Sequence, residues 1–152
     1  MLHKLRKRIY TAEATVKGGR QGHGRTSDGV LDLDVRLPVQ MGGKGGGANP
    51  EQLFAIGYGA CFQSSVVEAG RRLAVDASGS TVTARVSIGP SEGGDYGLAV
   101  ELVVAIPGLD HDAAMKVVQR AHDICPYSKA VRGNIDVSLV LETRSDRATL
   151  II

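Results

Sequence analysis

Hydrophobic and polar residues alternate along two stretches near the N-terminus, residues 10–16 and 29–37. Alternation with a period of two is typical of half-buried strands. The connection between them, residues 18–29, is rich in glycine, which is typical of a turn-rich loop. The pattern therefore predicts an antiparallel hairpin with Arg20 on its connection.

A helix is predicted to run from Pro50, with Asn49 as its N-cap residue. Asn49 is a favoured N-cap, Pro50 suits the first helical position, Glu51 opposes the helix dipole, and Gln52 can complete a capping box. These four consecutive residues together form a specific helix start. The helix is expected to continue to about residue 70.

This predicted helix is apolar on every side and carries Cys61. A helix that is hydrophobic all round is typical of the protein interior, so we expect it to be central and buried. Gly57 and Gly59 lie beside Cys61, and a glycine inside a helix costs about 1 kcal/mol relative to alanine. We therefore expect another group to approach the helix closely at this point.

The second half of the chain predicts another hairpin and another helix. Residues 81–88 and 98–106 have strand patterns and are joined by a loop rich in glycine. Asp110 is then expected to cap a second helix, whose apolar stripe ends at Cys125 and which Pro126 terminates.

A last strand is predicted over residues 134–142. The element order contains hairpins without regular alternation of strand and helix, which indicates an α+β fold with mainly antiparallel sheets. The length is typical of a single domain over residues 1–152. Residues 1–8 form a basic arm, and residues 144–152 form a tail that is charged and then apolar.

The composition is that of an ordinary globular protein, with 43% hydrophobic and 22% charged residues. The net charge is 18 − 16 = +2, and four cations lie in the arm, which leaves 14 − 16 = −2 for the rest. Aromatic residues make up 4% and tryptophan is absent. Nucleic-acid binders usually carry a basic face with aromatic stacking platforms, so we expect no nucleic-acid partner.

No membrane partner is expected either. Residues 9–16 carry Glu13 and alternate, unlike the apolar region of a signal peptide. The longest uncharged run, residues 52–67, is shorter than the roughly 20 apolar residues that span a bilayer. The sequence therefore predicts a cytoplasmic protein.

Two weak motifs predict neither nucleotide nor metal binding. Lys44 in a glycine-rich segment is followed by Gly45, whereas a phosphate-binding loop needs serine or threonine there. His122 and Cys125 lack the second ligand pair of a closed zinc site. We expect no metal, and we expect His122 to be a surface or helix-end residue.

The two cysteines, Cys61 and Cys125, are the strongest chemical candidates. A cytosolic chain rarely carries a permanent structural disulfide, so these are either inert core thiols or working ones. A thiol that reacts with peroxide needs thiolate character, hence a nearby cation or strong donors. A second thiol can convert the sulfenic acid to a disulfide before further oxidation.

Three stretches carry a family resemblance: GGRQG around Arg20, GGKGGGANPEQLFAIGYGACF at residues 42–62, and AHDICPYSKAVRGNIDV at residues 121–137. Together they resemble the organic hydroperoxide resistance proteins, of the superfamily shared with osmotically inducible protein C. The resemblance covers about residues 10–142 in order.

The resemblance implies a thiol peroxidase that reduces organic hydroperoxides to alcohols. By motif, Cys61 is the peroxidatic cysteine, Cys125 the resolving cysteine, Arg20 the activating cation and Glu51 its carboxylate partner. It also implies an intertwined homodimer of α+β chains, re-reduced by dihydrolipoyl groups on a lipoylated protein. No bound cofactor, metal, haem or flavin is implied.

An apolar pocket would favour an organic substrate over hydrogen peroxide. We expect Phe54, Ile56, Phe62 and Tyr127 to line it. Two other hypotheses stay open: the protein is a non-catalytic binder of acyl or other apolar ligands, or it is a redox sensor.

Spacing along the first helix adds one hypothesis. Glu51 and Cys61 are ten residues apart, which at 1.5 Å per residue separates their backbones by about 15 Å. That distance is too long for a compact site within one helix. We therefore expect the Arg20–Glu51 pair to meet Cys61 across a dimer interface.

Overall fold

The computed structural model describes residues 2–142 and 147–151, the latter by their backbone alone. The chain divides into two compact units, Met1–Pro50 and Glu51–Ile152. In chain order the elements are β1 (Ala14–Lys17), a 3-10 helix (Gly19–Gln21), β2 (His23–Thr26), β3 (Asp32–Asp34), a 3-10 helix (Val39–Met41), α1 (Pro50–Arg72), β4 (Thr81–Pro90), β5 (Tyr96–Ala105), α2 (His111–Ile124), α3 (Pro126–Val131), β6 (Asp136–Glu142) and β7 (Arg147–Ile151).

The sequence also predicted a basic arm and a tail at the two ends of the chain. The basic arm, residues 2–8, is exposed and has no regular element. Of the predicted tail, the backbone of residues 147–151 forms β7, and residues 144–146 and 152 lie outside the described part of the chain. The single domain over residues 1–152 stays a prediction.

The first unit contains an antiparallel sheet in the order β1-β2-β3. The predicted two-stranded hairpin was therefore wrong, because its glycine-rich connection contains β2, the central strand. β2 is polar and has no apolar alternation to reveal it. Its His23 ring instead contacts two carboxylates of β3, with Nε2 2.6 Å from Asp32 and Nδ1 3.0 Å from Asp34.

The second unit contains a sheet in the order β4-β5-β6-β7. β4 and β5 form the predicted antiparallel hairpin, paired from Thr81–Ala105 to Pro90–Tyr96. β6 pairs with β5 in parallel and with β7 antiparallel, so the sheet is mixed. The parallel pairing follows from α2 and α3, which connect β5 to β6 and return the chain to the same end of the sheet.

The core of the second unit joins α1 and α2 to one face of this sheet. Because side chains alternate across a strand, every second residue of β5 and β6 points into the core. Its fully or almost fully buried members include Tyr58, Phe62 and Val66 of α1, Leu102 and Val104 of β5, Val117 and Val118 of α2, and Leu139 and Leu141 of β6.

The predicted bounds of α1 are confirmed, but its burial on every side was wrong. Tyr58, Phe62 and Val66 form a buried stripe, whereas Ile56 is 72% exposed and Leu53 37% exposed. Apolar residues in a helix show that a face is suited to burial, but they do not identify the group that buries it. In the single chain α1 is therefore buried on one face and exposed on the other.

α2 begins and ends as the sequence predicts. The Asp110 side chain accepts a hydrogen bond from the Ala113 N–H at 2.8 Å, and Cys125 is the C-cap residue. Pro126 terminates α2, but it also occupies the first turn of α3, a short helix that the sequence analysis missed. Proline is tolerated in a first helical turn because its missing N–H has no intrahelical partner there.

None of the helices in the described part of the chain combines the length and apolar character that a membrane span requires.

The capping of α2 provides a stability test. Replacing Asp110 with alanine leaves the first turn of α2 without its side-chain acceptor, which should lower the free energy of unfolding by about 1 kcal/mol. Asp112→Ala is the matched control, since Asp112 also lies in the first turn but does not cap it. Urea unfolding at one fixed protein concentration measures both. Equal losses in the two variants would contradict the assigned cap.

Candidate active site

The two cysteine sulfurs lie next to each other. Cys125 Sγ donates to Cys61 Sγ at 3.7 Å, and both cysteines are free thiols. Cys61 is partly exposed on α1, whereas Cys125 is fully buried at the junction of α2 and α3. A disulfide has an S–S distance of about 2.05 Å, so the two sulfurs need to move only a short distance closer to form one.

The environment of Cys61 acts on its thiol in opposite directions. Burial raises its pKa, because a thiolate is poorly solvated in the interior. The Tyr127 backbone N–H hydrogen-bonds the sulfur and lowers the pKa, and the neighbouring Cys125 raises it. The net shift is upward, and none of these three influences is a positive charge. A reactive thiolate at Cys61 therefore needs a cation or further hydrogen-bond donors.

Aromatic side chains surround this part of α1. The Tyr127 ring lies 5.7 Å from Tyr58 and 6.1 Å from Phe54, and Phe54 lies 6.0 Å from Tyr58, measured between ring centroids. These distances are typical of attractive aromatic pairs. The cluster packs α3 against α1 next to the sulfur pair.

Gly57 makes this packing possible. A Cβ atom at Gly57 would lie 3.0 Å from Tyr127 Oη, tighter than an ordinary contact. The close approach predicted at this glycine is therefore confirmed. Gly59 has no such neighbour, since a Cβ there would lie 3.7 Å from Ala84 Cβ, an ordinary contact distance.

The four residues expected to line an apolar pocket occupy different environments. Phe54 and Tyr127 are partly exposed and in ring contact. Phe62 is fully buried in the core, and Ile56 is 72% exposed. The structure thus brings Phe54 and Tyr127 together near Cys61, and the pocket role of all four stays a prediction.

An open groove of about 380 Å³ runs beside Cys61. It is lined by Cys61, Ser64, Ser65, Glu68, Arg72, Ile124 and Pro126. The sequence analysis missed this groove, although its α1 residues follow Cys61 at three, four, seven and eleven positions, which places them on one helix face. Its polar residues contrast with the expected apolar pocket.

Two further residues near the sulfurs were also missed. Tyr58 Oη lies 2.9 Å from Ser128 Oγ in the core, and both side chains are fully buried. Burial raises the pKa of Tyr58, so its phenol stays neutral. The sequence places Ser128 in the CPYSKA motif, but no local pattern pairs it with a tyrosine 70 residues away.

Arg20 and Glu51 lie in different units. Arg20 belongs to the 3-10 helix between β1 and β2, on the connection where the sequence predicted it. Glu51 lies in the first turn of α1. Both are partly exposed. Their roles toward Cys61 stay predictions.

His122 lies in the last turn of α2, but it is not a surface residue. Its exposed fraction is 7%, and Nδ1 has no hydrogen-bond partner among the described residues. Burial lowers the pKa of His122, and the nearby Arg132 lowers it further. The expectation of a helix-end position was right, and that of a surface position was wrong.

A model of the OsmC-like protein family matches residues 42–140, a segment that contains both cysteines. The chain belongs to this family. It is 45% identical over 135 residues to the organic hydroperoxide resistance protein of Xanthomonas axonopodis pv. citri, covering 88% of this chain and 94% of that relative.

Solved structures agree with this membership of the OsmC-like family. The organic hydroperoxide resistance protein OhrB of Bacillus subtilis superimposes with a TM-score of 0.82 at 41% identity, covering 89% of this chain and 100% of that one. An organic hydroperoxide resistance protein from Legionella pneumophila gives a TM-score of 0.85 at 42% identity, covering 90% and 100%.

The burial of His122 predicts a pH dependence of stability. The folded state resists protonation, whereas unfolded histidine takes up a proton near its ordinary pKa of 6.5. Acidification below about pH 6.5 should therefore destabilise the protein, until the lower folded pKa is reached, by at most about 1.4 kcal/mol per pH unit.

Denaturant titrations from pH 7.5 to 5.5 test this dependence. The variant His122→Gln should lose less stability on acidification than the wild type. The exposed His111→Gln, on the same helix, is the control and should follow the wild type. Parallel curves for wild type and His122→Gln would contradict the assignment.

Proposed function

We propose that this OsmC-like protein is a cysteine-based thiol peroxidase that reduces organic hydroperoxides to alcohols and so defends against oxidative stress. The observation that carries the proposal is the pair of free thiols with sulfurs 3.7 Å apart, one partly exposed and one buried. The organic hydroperoxide resistance proteins among its relatives support the substrate class.

The first chemical step takes place at the partly exposed thiol. The Cys61 thiolate attacks the terminal oxygen of the hydroperoxide and the O–O bond breaks. Sulfur is oxidised by two electrons to a sulfenic acid, and the alkoxide takes a proton and leaves as the alcohol. The exposure of Cys61 supports its assignment to this step.

The second step closes a disulfide. The Cys125 sulfur attacks the Cys61 sulfenic acid, an S–S bond forms, and the hydroxyl group leaves as water. The buried position of Cys125 supports a resolving role, because it is shielded from direct reaction yet adjacent to Cys61. A dihydrolipoyl dithiol on a lipoylated protein then reduces the disulfide by thiol exchange and becomes the cyclic disulfide.

Arg20 supplies the cation that Cys61 needs. Burial raises the pKa of Cys61, and the Tyr127 N–H alone does not reverse the shift. A guanidinium stays charged at all relevant pH values and can bind a carboxylate while another N–H points at sulfur. Glu51 provides that carboxylate, and the same cation stabilises the leaving alkoxide.

The active form is an intertwined homodimer. The exposed apolar residues Ile56 and Leu53 on α1 support a partner surface there. Glu51 and Cys61 lie ten residues apart on the continuous helix α1, about 15 Å along its axis. This separation supports a site in which Arg20 and Glu51 of one subunit serve Cys61 of the other.

The organic part of the substrate contacts apolar side chains near Cys61. Phe54 and Tyr127, which are in ring contact and partly exposed, are proposed to form its wall, with Ile56 and Phe62 as the further predicted members. The protein acts in the cytoplasm without a bound cofactor or metal. Nucleic acid and membrane are not partners in this proposal.

A thiol count tests the two-cysteine reaction. One equivalent of an organic hydroperoxide should remove both free thiols and two hydrogens from the reduced protein, and dihydrolipoamide should restore them. Cys125→Ser should stop at the sulfenic acid of Cys61, and Cys61→Ser should not react. Intact-mass spectrometry reads all three products. Two unreacted thiols in folded wild-type protein would overturn the proposal in favour of an apolar-ligand binder.

Coexpression of two inactive variants tests the shared site. Arg20→Ala and Cys61→Ser chains should each form inactive homodimers. If each site takes Arg20 and Cys61 from different subunits, a random mixture should recover roughly a quarter of the wild-type activity.

The control for the shared site is Arg25→Ala, because Arg25 is a nearby exposed cation of the same unit. This variant should keep wild-type activity by itself. A mixture of Arg20→Ala and Cys61→Ser chains that recovers no activity, although heterodimers form, would show that the site lies within one subunit.

A further inference from the structure

Two buried hydroxyl groups meet between α1 and α3. Tyr58 Oη and Ser128 Oγ are 2.9 Å apart, and neither side chain is exposed to solvent. If the helices moved apart here, both hydroxyls would lose their partner where water cannot replace it. An unsatisfied buried polar group destabilises the folded state, so this bond opposes separation of the two helices.

The hydroxyl pair lies next to Tyr127 and Cys125, the two residues of the described chain that act on the pKa of Cys61. Tyr58 precedes Cys61 by three residues, less than one turn of α1. Ser128 directly follows Tyr127, whose backbone N–H donates to the Cys61 sulfur, and it follows Cys125 by three residues. One bond thus links the turn that carries the sulfur to the segment that carries its donor and its partner thiol.

The surrounding ring contacts do not replace this bond. Tyr127 packs against Phe54 and Tyr58 at centroid distances of 6.1 and 5.7 Å. Such contacts tolerate small sliding movements, because aromatic pairs are attractive over a range of separations and tilts. A hydrogen bond between hydroxyls weakens within a few tenths of an ångström and with misalignment. The Tyr58–Ser128 bond is therefore a directional link between side chains of the two helices.

We propose that Tyr58 and Ser128 are positioning residues, whose hydroxyl pair fixes the first turn of α3 against α1 and so aims the Tyr127 N–H at the Cys61 sulfur. The proposal rests on the proposed function only for the choice of Cys61 as the reactive thiol. It adds two residues to which the sequence analysis gave no role.

Loss of the hydroxyl pair has two consequences for the thiols. A misaligned Tyr127 N–H no longer offsets the burial of Cys61, so its thiolate becomes less stable. Cys125 sits at the start of the same segment, so its approach to Cys61 becomes less well defined. Thiolate formation and disulfide closure should therefore both decline.

Three variants test the proposal: Tyr58→Phe, Ser128→Ala and the double variant. Tyr58→Phe keeps the ring and its aromatic contacts, and Ser128→Ala removes a single oxygen. The first readout is the pH profile of Cys61 alkylation by iodoacetamide, followed at its own peptide by mass spectrometry. The second is the rate of disulfide closure with diamide, which accepts the two electrons and two protons of the thiol pair.

Each variant should shift the midpoint of the alkylation profile upward by roughly half to one pH unit. The thiolate fraction near neutral pH then falls roughly 3- to 10-fold. Disulfide closure should slow by a similar factor. The double variant should show no larger shift than either single one, because all three remove the same bond.

Tyr96→Phe is the control, since Tyr96 is 71% exposed and lies on β5. It should match the wild type in both readouts. Folded variants with wild-type alkylation profiles and closure rates would overturn the proposal, even if they were less stable. Should a single variant fail to fold, the double variant carries the test, because it leaves no unpaired hydroxyl.

These readouts separate the positioning role from the peroxidase function, because neither uses a hydroperoxide. Suppose that the variants have shifted alkylation profiles and the wild type does not react with hydroperoxide. This result would support the positioning role and overturn the proposed peroxidase function. Unshifted alkylation profiles together with full hydroperoxide turnover would support the peroxidase function and overturn the positioning role.

Discussion

The burial of one helix face sets the conditions for every group at the sulfur pair. Tyr58, Phe62 and Val66 place α1 against the sheet and α2, and Cys61 lies on the same helix at the margin of that core. A thiol in such a place is partly exposed and still contacts a second thiol that is shielded from bulk water. The same burial raises the pKa of Cys61, and the Tyr127 N–H acts against this rise, whereas Cys125 adds to it.

Small and aromatic residues alternate at this margin for a geometric reason. Gly57 leaves room for the Tyr127 ring, and the rings of Phe54 and Tyr58 cover the space around it. This arrangement places the backbone N–H of Tyr127 where it lowers the pKa of the Cys61 thiol. A backbone N–H is a useful donor in such a place, because it needs no charged side chain to be desolvated in the core.

The elements that the sequence analysis missed share one property. No pattern of neighbouring residues marks them. β2 is a polar strand, held by ladder bonds on both sides and by the contacts of His23 with Asp32 and Asp34. α3 begins at Pro126, the residue that was correctly predicted to end α2. The predicted burial of α1 on every side failed because the apolar pattern cannot name the partner of each face.

The elements that could be predicted from the sequence are those whose causes lie within a few residues. The cap at Asp110, the start of α1 at Pro50 and the apolar stripe that ends at Cys125 all depend on neighbours three or four positions away. The glycine at position 57 likewise predicted a close approach, though not which group would make it.

Contacts between residues far apart in the chain could not be predicted in this way. The two sulfurs are 64 residues apart and the hydroxyls of Tyr58 and Ser128 are 70 residues apart, yet each pair is in contact. Such contacts depend on how α1, α2 and α3 pack together in one core, and no local pattern encodes that packing. The motifs therefore named both cysteines, while the fold supplied the donor and the hydroxyl pair that surround them.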